Sequence, residues 1–373
     1  MNTPKLRFKE FNDEYKSYKF YDVAKLYRGS SPRPIVNFIT KSEDSVNWIK
    51  IGDVSPNETY INSTSEKITK EGAKKSRRVY KGEIILSNSM SFGRPYILNL
   101  DGCIHDGWFV VRDYEKLLNK KYLYHFMSSP LIQKQYKTLS AGGVVSNISS
   151  ELVYSVKLNI PSKEEQLKVA KFLSLLDKKI ELQSKKIEDL KLFKLSKYSS
   201  VFSKTNNKIK LSDICIIEKG KQINSDLLIE KGNYYMLNGG ILPSGYLNEY
   251  NTNENTVTIS EGGNSCGYVN FNKTKFWCGG HCYKIISPSV NTSYLYHLLK
   301  YNEKIIMDLR VGSGLPNIQK KDLEALKLSI HKNDEQLKIG ILFDTFDKKI
   351  SLETDKLNKF KELKKALMQV MFV

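Results

Sequence analysis

Several things are missing from this 373-residue sequence, and each absence removes a class of function. No run approaches the roughly eighteen consecutive apolar residues that a membrane span requires, so no membrane partner is expected. The opening, "MNTPKLRFKEF", holds no apolar stretch for a secretory signal, and a cytoplasmic location is the expectation. Cysteine is scarce: five residues, an odd number without a framework spacing, fit a reducing compartment better than a disulfide scaffold. Chemistry-bearing motifs are missing too. The glycine-rich "EGGNSCG" lacks the Lys-Ser/Thr pair that would reach phosphate and magnesium. There is no dinucleotide-binding G-x-G-x-x-G and no Asn/Asp-Pro-Pro-aromatic tetrapeptide of the adenine methyltransferases. "FWCGGHCYKI" (276–285), with Cys266 upstream, has the residues of a metal site but not the spacing. Zinc sites normally present paired C-x₂₋₄-C ligands. Here Cys278, His281 and Cys282 crowd a strand-turn, and alternation along a strand would turn neighbours to opposite faces. His105, in "CIHDGWFVV", holds a comparable place without cysteines. The expectation is core cysteines beside a turn, no metal and no cofactor.

Positive charge, by contrast, is plentiful. Lys and Arg number 59 against 40 Asp and Glu, a net charge of +19. Every large segment of the chain is basic, so the excess is not confined to a tail. Neutralising phosphates releases counterions, which makes nucleic acid the natural partner of such a surface; a Lys-rich proteome would give the same balance without a partner. Hydrophobic residues at 40 % and aromatics at 11 %, including 22 Tyr, allow packed cores, and the length favours at least two domains.

The chain also repeats itself. "EEQLK" (164–168) and "DKKI" (177–180) return as "DEQLK" (334–338) and "DKKI" (347–350). Upstream, "GGVVSNISSELVYSVKLNI" (142–160) aligns with "GSGLPNIQKKDLEALKLSI" (312–330), placing Asn147-Ile148 on Asn317-Ile318. "YLYH" occurs at 122–125 and 294–297, and "YDVAKLYRG" (21–29) resembles "SDICIIEKG" (212–220). The halves share both ends and diverge between them. Such internal repetition decides the fold reading before any motif does. Each half reads as strands and loops with a local Tyr/Leu/His helix for core packing, followed by one long helix. The expected divisions are 1–160, 161–203, 204–330 and 331–373.

The long helices carry heptad seams: Leu173, Leu176, Ile180, Ile187 and Leu190 in the first, Phe343, Phe346, Ile350, Leu357 and Phe360 in the second. Gln183 and Glu353 interrupt them at matching places. Ser162 with Glu165, and Asn333 with Gln336, have the spacing of helix N-terminal capping pairs. Two amphipathic helices each docked on its own domain would give the same pattern. If the seams meet instead, the second helix runs back antiparallel to the first. About 40 residues then form a rod of roughly 60 Å, separating two basic domains by more than one DNA turn of about 34–36 Å. A two-part target with an unread spacer is the consequence.

"PKLRF", "KGEIILSNSMSFGRPYI", "YLYHFM…AGGVVSNIS" and "NIPSKEEQLKVAKFLSLLDKKIELQSKKIEDLK" together resemble the specificity subunit of type I restriction-modification enzymes, over essentially the whole chain. The resemblance implies an α+β fold, with two α/β target-recognition domains joined by an antiparallel coiled coil. It implies double-stranded DNA as target, read at two unlike half-sites, and a subunit that is itself no enzyme. The partners it implies are two adenine methyltransferase subunits and two ATP-driven restriction subunits. S-adenosylmethionine and ATP with magnesium would sit on those partners. The second tail departs from the pattern with His331 where the first has Pro161, and the second recognition domain is short. A stand-alone DNA-binding regulator, or an RNA-binding or scaffolding coiled-coil protein, is the alternative.

Candidate DNA contacts fall on loops. "EGAKKSRRVYKG" (71–82), read as a loop before a strand, supplies Lys74, Lys75, Arg77 and Arg78; arginine can pair with guanine edges or grip phosphate, and lysine mostly grips phosphate. "SNSMSFGR" supplies Asn88, Ser91 and Arg94, Asn being suited to adenine. In the second half "EKGKQIN" supplies Lys219 and Lys221, and "SEGGNSCG" supplies Ser260 and Asn264. The Lys- and Glu-rich outer faces of the long helices are candidate docking surfaces for the methyltransferase.

Overall fold

The computed structural model describes residues 3–54, 58–88, 93–140, 148–205, 207–312, 314 and 316–373. It divides into two compact units, one of Met1–Gln183 with Lys356–Val373 and one of Ser184–Asp355. The architecture is mixed α/β with two long helices, Lys163–Phe202 and Asn333–Met371.

The two units are built to one plan. In the first, strand Lys16–Lys19 pairs antiparallel with Lys157–Ile160, so the domain's first strand is tied to its last. In the second, Lys208–Lys210 pairs with Lys327–Ser329 in the same way. A central antiparallel sheet follows in each. Its order in the first unit is Lys25–Arg28, Trp108–Arg112, Ile84–Ser87, Pro95–Leu98, with the short strand Tyr60–Ile61 added at the edge. In the second the order is Ile216–Lys219, Cys282–Ile286, Thr256–Ser260, Val269–Asn272. The middle strands are enclosed: every residue of Ile84–Ser87 and of Thr256–Ser260 is buried.

A smaller sheet completes each unit, and here the units differ. Both contain one parallel pair, Val46–Ile49 with Gly102–Ile104 and Tyr234–Leu237 with Trp277–Cys278, each flanked by an antiparallel strand. The first unit extends this sheet to five strands by adding Ile39–Thr40 and Arg77–Val79 at its edges, where the second has three among the described residues. The segment 71–82, read from sequence as a loop, is therefore corrected. It is a short helix, Lys70–Lys74, whose N-terminus is capped by the Thr69 hydroxyl accepting the Gly72 N–H, then an edge strand in which Arg78 faces Cys103. The glycine that looked like a loop signal packs under Phe38.

The repeated "YD…G" phrase has a physical basis. Asp22 accepts the Lys19 N–H and Asp213 the Lys210 N–H, turning the chain into the central sheet. Seven residues on, Gly29 and Gly220 each pass so close to a neighbouring loop that a methyl group would strike the carbonyl of His105 or Gly279.

The long helices begin differently. Glu165 donates its N–H to the Ser162 hydroxyl at 3.3 Å. In the second copy Asn333 already lies in the first turn, and its side-chain carbonyl accepts a hydrogen bond from the Gln336 side-chain amide, not from backbone. The expected second capping pair is thus a side-chain contact. Each unit's core contains its Tyr/Leu/His helix and both long helices: Tyr122, Leu123, Val169, Leu173, Met368 and Phe372 in the first, Tyr294, Leu295, Tyr198, Phe202 and Phe343 in the second.

Candidate nucleic-acid interface

In the first unit the basic residues gather around the segment that follows Gly29. Arg77 donates from Nε to the Arg28 carbonyl at 3.1 Å, with its guanidinium 5.6 Å from the Tyr27 ring. Ser76 donates to the Ser30 carbonyl at 2.6 Å, fastening the basic edge strand to this segment. Lys74, Lys75 and Arg78 project to solvent beside it. A cleft of about 620 Å³ opens next to them, lined by Ser31 to Val36 and by His105 and Asp106. Arg33 stands at its mouth, 84 % exposed, with its guanidinium 3.8 Å from Asp106. Burial works against a charge on Asp106, but the Ser31 hydroxyl and the neighbouring His105 outweigh it and hold the carboxyl below its ordinary range. The cleft thus presents cations and a carboxylate within one short stretch, the donor and acceptor types that read base edges and grip phosphate.

Three sequence candidates from the next loop fare differently. Asn88 is buried, and its Nδ2 donates to the Asp106 carbonyl at 2.9 Å, so its amide braces the cleft floor and does not face solvent. Ser91 lies outside the described residues. Arg94 is half-buried, with its guanidinium 5.7 Å from the Tyr96 ring. Arg28 and Arg33 were missed by the sequence reading, although "YRGSSPRP" carried the signal of two arginines flanking a Gly- and Pro-marked turn.

The second unit gives the corresponding edge another chemistry. Lys219 pairs with Glu261 at 2.6 Å, and Glu261 also accepts from the Tyr283 hydroxyl at 3.2 Å. His281 lies 3.7 Å from the same carboxylate. Lys221 is exposed, and its carbonyl accepts the Trp277 indole N–H. Asn264 is exposed on the turn Gly263–Ser265. Ser260, like Asn88, is buried, with its hydroxyl given to the Gly239 carbonyl at 2.5 Å. The loops correspond: Gly93 donates to the Ser87 carbonyl and Gly267 to the Ser260 carbonyl, and Asn88 and Glu261 stand at matching places. Cys278 and Cys282 pack with Leu237 and Phe276 in an apolar cluster. The adjacent Cys282 thiol and burial both raise the Cys278 pKa above its ordinary value.

The helices supply the support. In the first unit Asp177 pairs with Lys364 and the Lys179 ammonium lies 4.7 Å from the Phe360 ring. In the second Lys186 pairs with Glu353 at 2.5 Å, Lys194 with Asp347 at 2.5 Å, and the rings of Phe193 and Phe346 meet at 5.6 Å. Partner numbers fall as residue numbers rise, so the helices are antiparallel within each unit. The two Asp–Lys pairs are repeat copies of each other with the helices exchanged. Of the seam residues expected from the sequence, Leu173, Ile187 and Phe343 are buried and Leu176, Ile180, Leu190, Phe346, Ile350, Leu357 and Phe360 half-buried. Gln183, at the seam's interruption, is 7 % exposed.

The "EQLK" phrase is a clamp. Gln166 accepts the Asn119 N–H at 2.8 Å and donates to the carbonyls of Leu117 and Pro161. Gln336 repeats this on Asn291 and His331. Asn119 and Asn291 cap the two Tyr/Leu/His helices, so each clamp locks the globular part of its unit to the start of a long helix. Within those short helices His125 and His297 are core residues, 1 % and 0 % exposed. Burial lowers both pKa values, His125 to about 3.

A comparison with known families decides what this architecture is. The family described as "Type I restriction modification DNA specificity domain" matches residues 12–192 and 203–362. The chain belongs to the type I DNA specificity family. A Mycoplasma pneumoniae protein described as a type I specificity subunit is 33 % identical over 161 residues, 42 % of each chain. A Mycoplasma genitalium relative is 31 % identical over 138 residues, so the match spans 42 % and 36 % of the lengths of these two relatives. The MjaIX specificity subunit of Methanocaldococcus jannaschii is 22 % identical over 394 residues, covering 94 % of this chain and 90 % of that one. The crystal structure of the S subunit from M. genitalium superposes with a TM-score of 0.67, covering 100 % of this chain and 99 % of that one at 19 % identity; the fold is shared. Type I specificity subunits are the non-catalytic members of their complexes. No helix among the described residues is long and apolar enough to cross a membrane.

Proposed function

We propose that this chain is the DNA-reading subunit of a type I restriction-modification system. Each unit reads one half of an asymmetric target, and the antiparallel helices set the unread spacer between the halves. The observation that carries this reading is a shared plan with unlike edges. The central sheets and helix clamps repeat, while one edge offers Arg28, Arg33, Arg77 and Arg78 and the other Lys219, Lys221, Asn264 and the carboxylate Glu261. Unlike donor and acceptor sets select unlike base sequences. The chain acts in the cytoplasm and directs adenine methylation by two methyltransferase subunits and ATP-dependent cleavage by two restriction subunits, which carry S-adenosylmethionine and ATP with magnesium.

The helical faces support a paired partner. Leu167, Leu182, Leu337 and Leu352 are each 54 to 60 % exposed, and they match in pairs across the repeat. Exposed leucines recurring in register are a better docking signal than the Lys and Glu around them, which solvate any helix. Co-expression with a type I methyltransferase subunit, followed by gel filtration, tests this. The expected product contains two methyltransferases per chain, and Leu182→Asp with Leu352→Asp reduces it to free subunits. A chain that elutes alone yet binds duplex DNA specifically would point to a regulator, and preference for RNA would overturn the DNA reading.

A further inference from the structure

The two units differ at the start of their long helices. In the first unit, residues 3–15 lie over the start of the long helix. Arg7 forms two hydrogen bonds to Glu165, at 2.8 and 2.7 Å, and the Tyr15 hydroxyl donates to the same carboxylate at 2.8 Å. The Phe8 ring meets the edge of Phe172 at 6.0 Å, the Lys168 ammonium lies 4.7 Å from Phe8 and pairs with Glu10, and Leu6 donates its N–H to the Val370 carbonyl. This is a polypeptide-binding site occupied by the chain's own beginning.

The repeat carries the positions of that site into the second unit. Glu335 stands for Glu165, Lys338 for Lys168, Leu342 for Phe172 and Ser200 for Val370. All four line a groove of about 1070 Å³, whose apolar wall is completed by Ile339 and Phe346. Leu342 is 41 % exposed there. The rim differs in charge from its counterpart: Lys197, Lys204 and Lys332 join Lys338.

We propose that this groove seats an extended acidic segment of a partner protein, which lays a large apolar or aromatic side chain on Leu342 and sets its carboxylates among the four rim lysines. The repeat says that polypeptide binds here. The apolar wall favours a peptide over a nucleic-acid backbone, which would use the lysines alone. Charge argues against residues 3–15 of a second copy: that stretch balances Lys5, Arg7 and Lys9 against Glu10, Asp13 and Glu14, and so matches the near-neutral first site. The proposal stands independently of DNA reading.

The test uses the full chain and a fluorescein-labelled peptide of residues 3–15 bearing Lys5→Glu and Lys9→Glu, followed by anisotropy. Saturable binding is expected at one peptide per chain, weakening with salt as partly exposed charge pairs do. Leu342→Asp and the pair Lys197→Glu, Lys204→Glu should each weaken it about tenfold or more, a change of about 1.4 kcal/mol. These side chains are partly or fully exposed, so the fold is unaffected, and an unchanged melting curve confirms it. Absence of saturable binding would overturn the proposal. Equal binding of the unaltered 3–15 peptide would give the groove to a second copy. Displacement by random duplex DNA, with Leu342→Asp leaving binding unchanged, would give it to nucleic acid.

Discussion

Gln166 shows how much one side chain contributes to this design. It is 1 % exposed and satisfies three backbone groups at the junction of domain and helix. Removing a buried hydrogen-bond partner leaves the others desolvated and unpaired. Gln166→Ala should therefore cost about 3 kcal/mol by urea denaturation. Gln336→Ala should cost less, because its bond to Asn291 is longer, at 3.4 Å. Equal and negligible losses would show that the phrase is retained for something other than this clamp. Arg77 and Arg78 sit on an edge strand that only the first unit has among the described residues. Replacing both with Ala should weaken binding about tenfold or more and relax reading of one half-site only, as seen in binding to half-site variants. An equal loss at both halves would contradict the assignment of one reader to each unit.

At the scale of elements, heptad spacing made Phe343, Phe346 and Phe360 legible as a stripe, and these meet Tyr198, Phe193 and Lys179 of the other long helix. Residues 171–180 and 341–350 match position by position in being buried, half-buried or exposed, as the repeat requires. What periodicity did not disclose was charge on that face. Lys194 occupies a seam position at 9 % exposure, and a pattern that scores lysine as solvent-facing passes over it. Burial lowers its pKa, and Asp347 works against that shift. Breaking such a pair from one side strands the other charge, while removing both need cost little. Asp347→Ala should thus destabilise the protein by about 2 kcal/mol, less than for a fully buried pair because Asp347 is a third exposed, and Lys194→Met with Asp347→Leu should recover most of it. Additive losses in a thermal or urea double-mutant cycle would show that the two charges do not interact. The basic segment 71–82 was misread for a related reason. Glycine and lysine signal a loop locally, but pairing to Gly102–Ile104 and packing beneath Phe38 override the local preference. Asn88 and Ser260 were chosen for side-chain chemistry, and only tertiary structure could reveal that both are used up bracing their loops.

For the whole molecule, the proposed function requires the helices to act as a spacer between two unlike readers. The long helices contain 40 and 39 residues, each about 60 Å of rise. Within each unit the pairing is antiparallel, and one Asp–Lys pair fixes its register there. Inserting one seven-residue heptad at matched positions in both helices preserves that register and adds about 10 Å of rise. At about 3.4 Å per base pair, this corresponds to roughly three further base pairs. The decisive measurement is mapping of methylated adenine in DNA treated with the complex of this chain and its methyltransferase, with and without the insertion. The account predicts the same two half-site sequences with a spacer longer by about three base pairs. Unchanged spacing with full activity would contradict it.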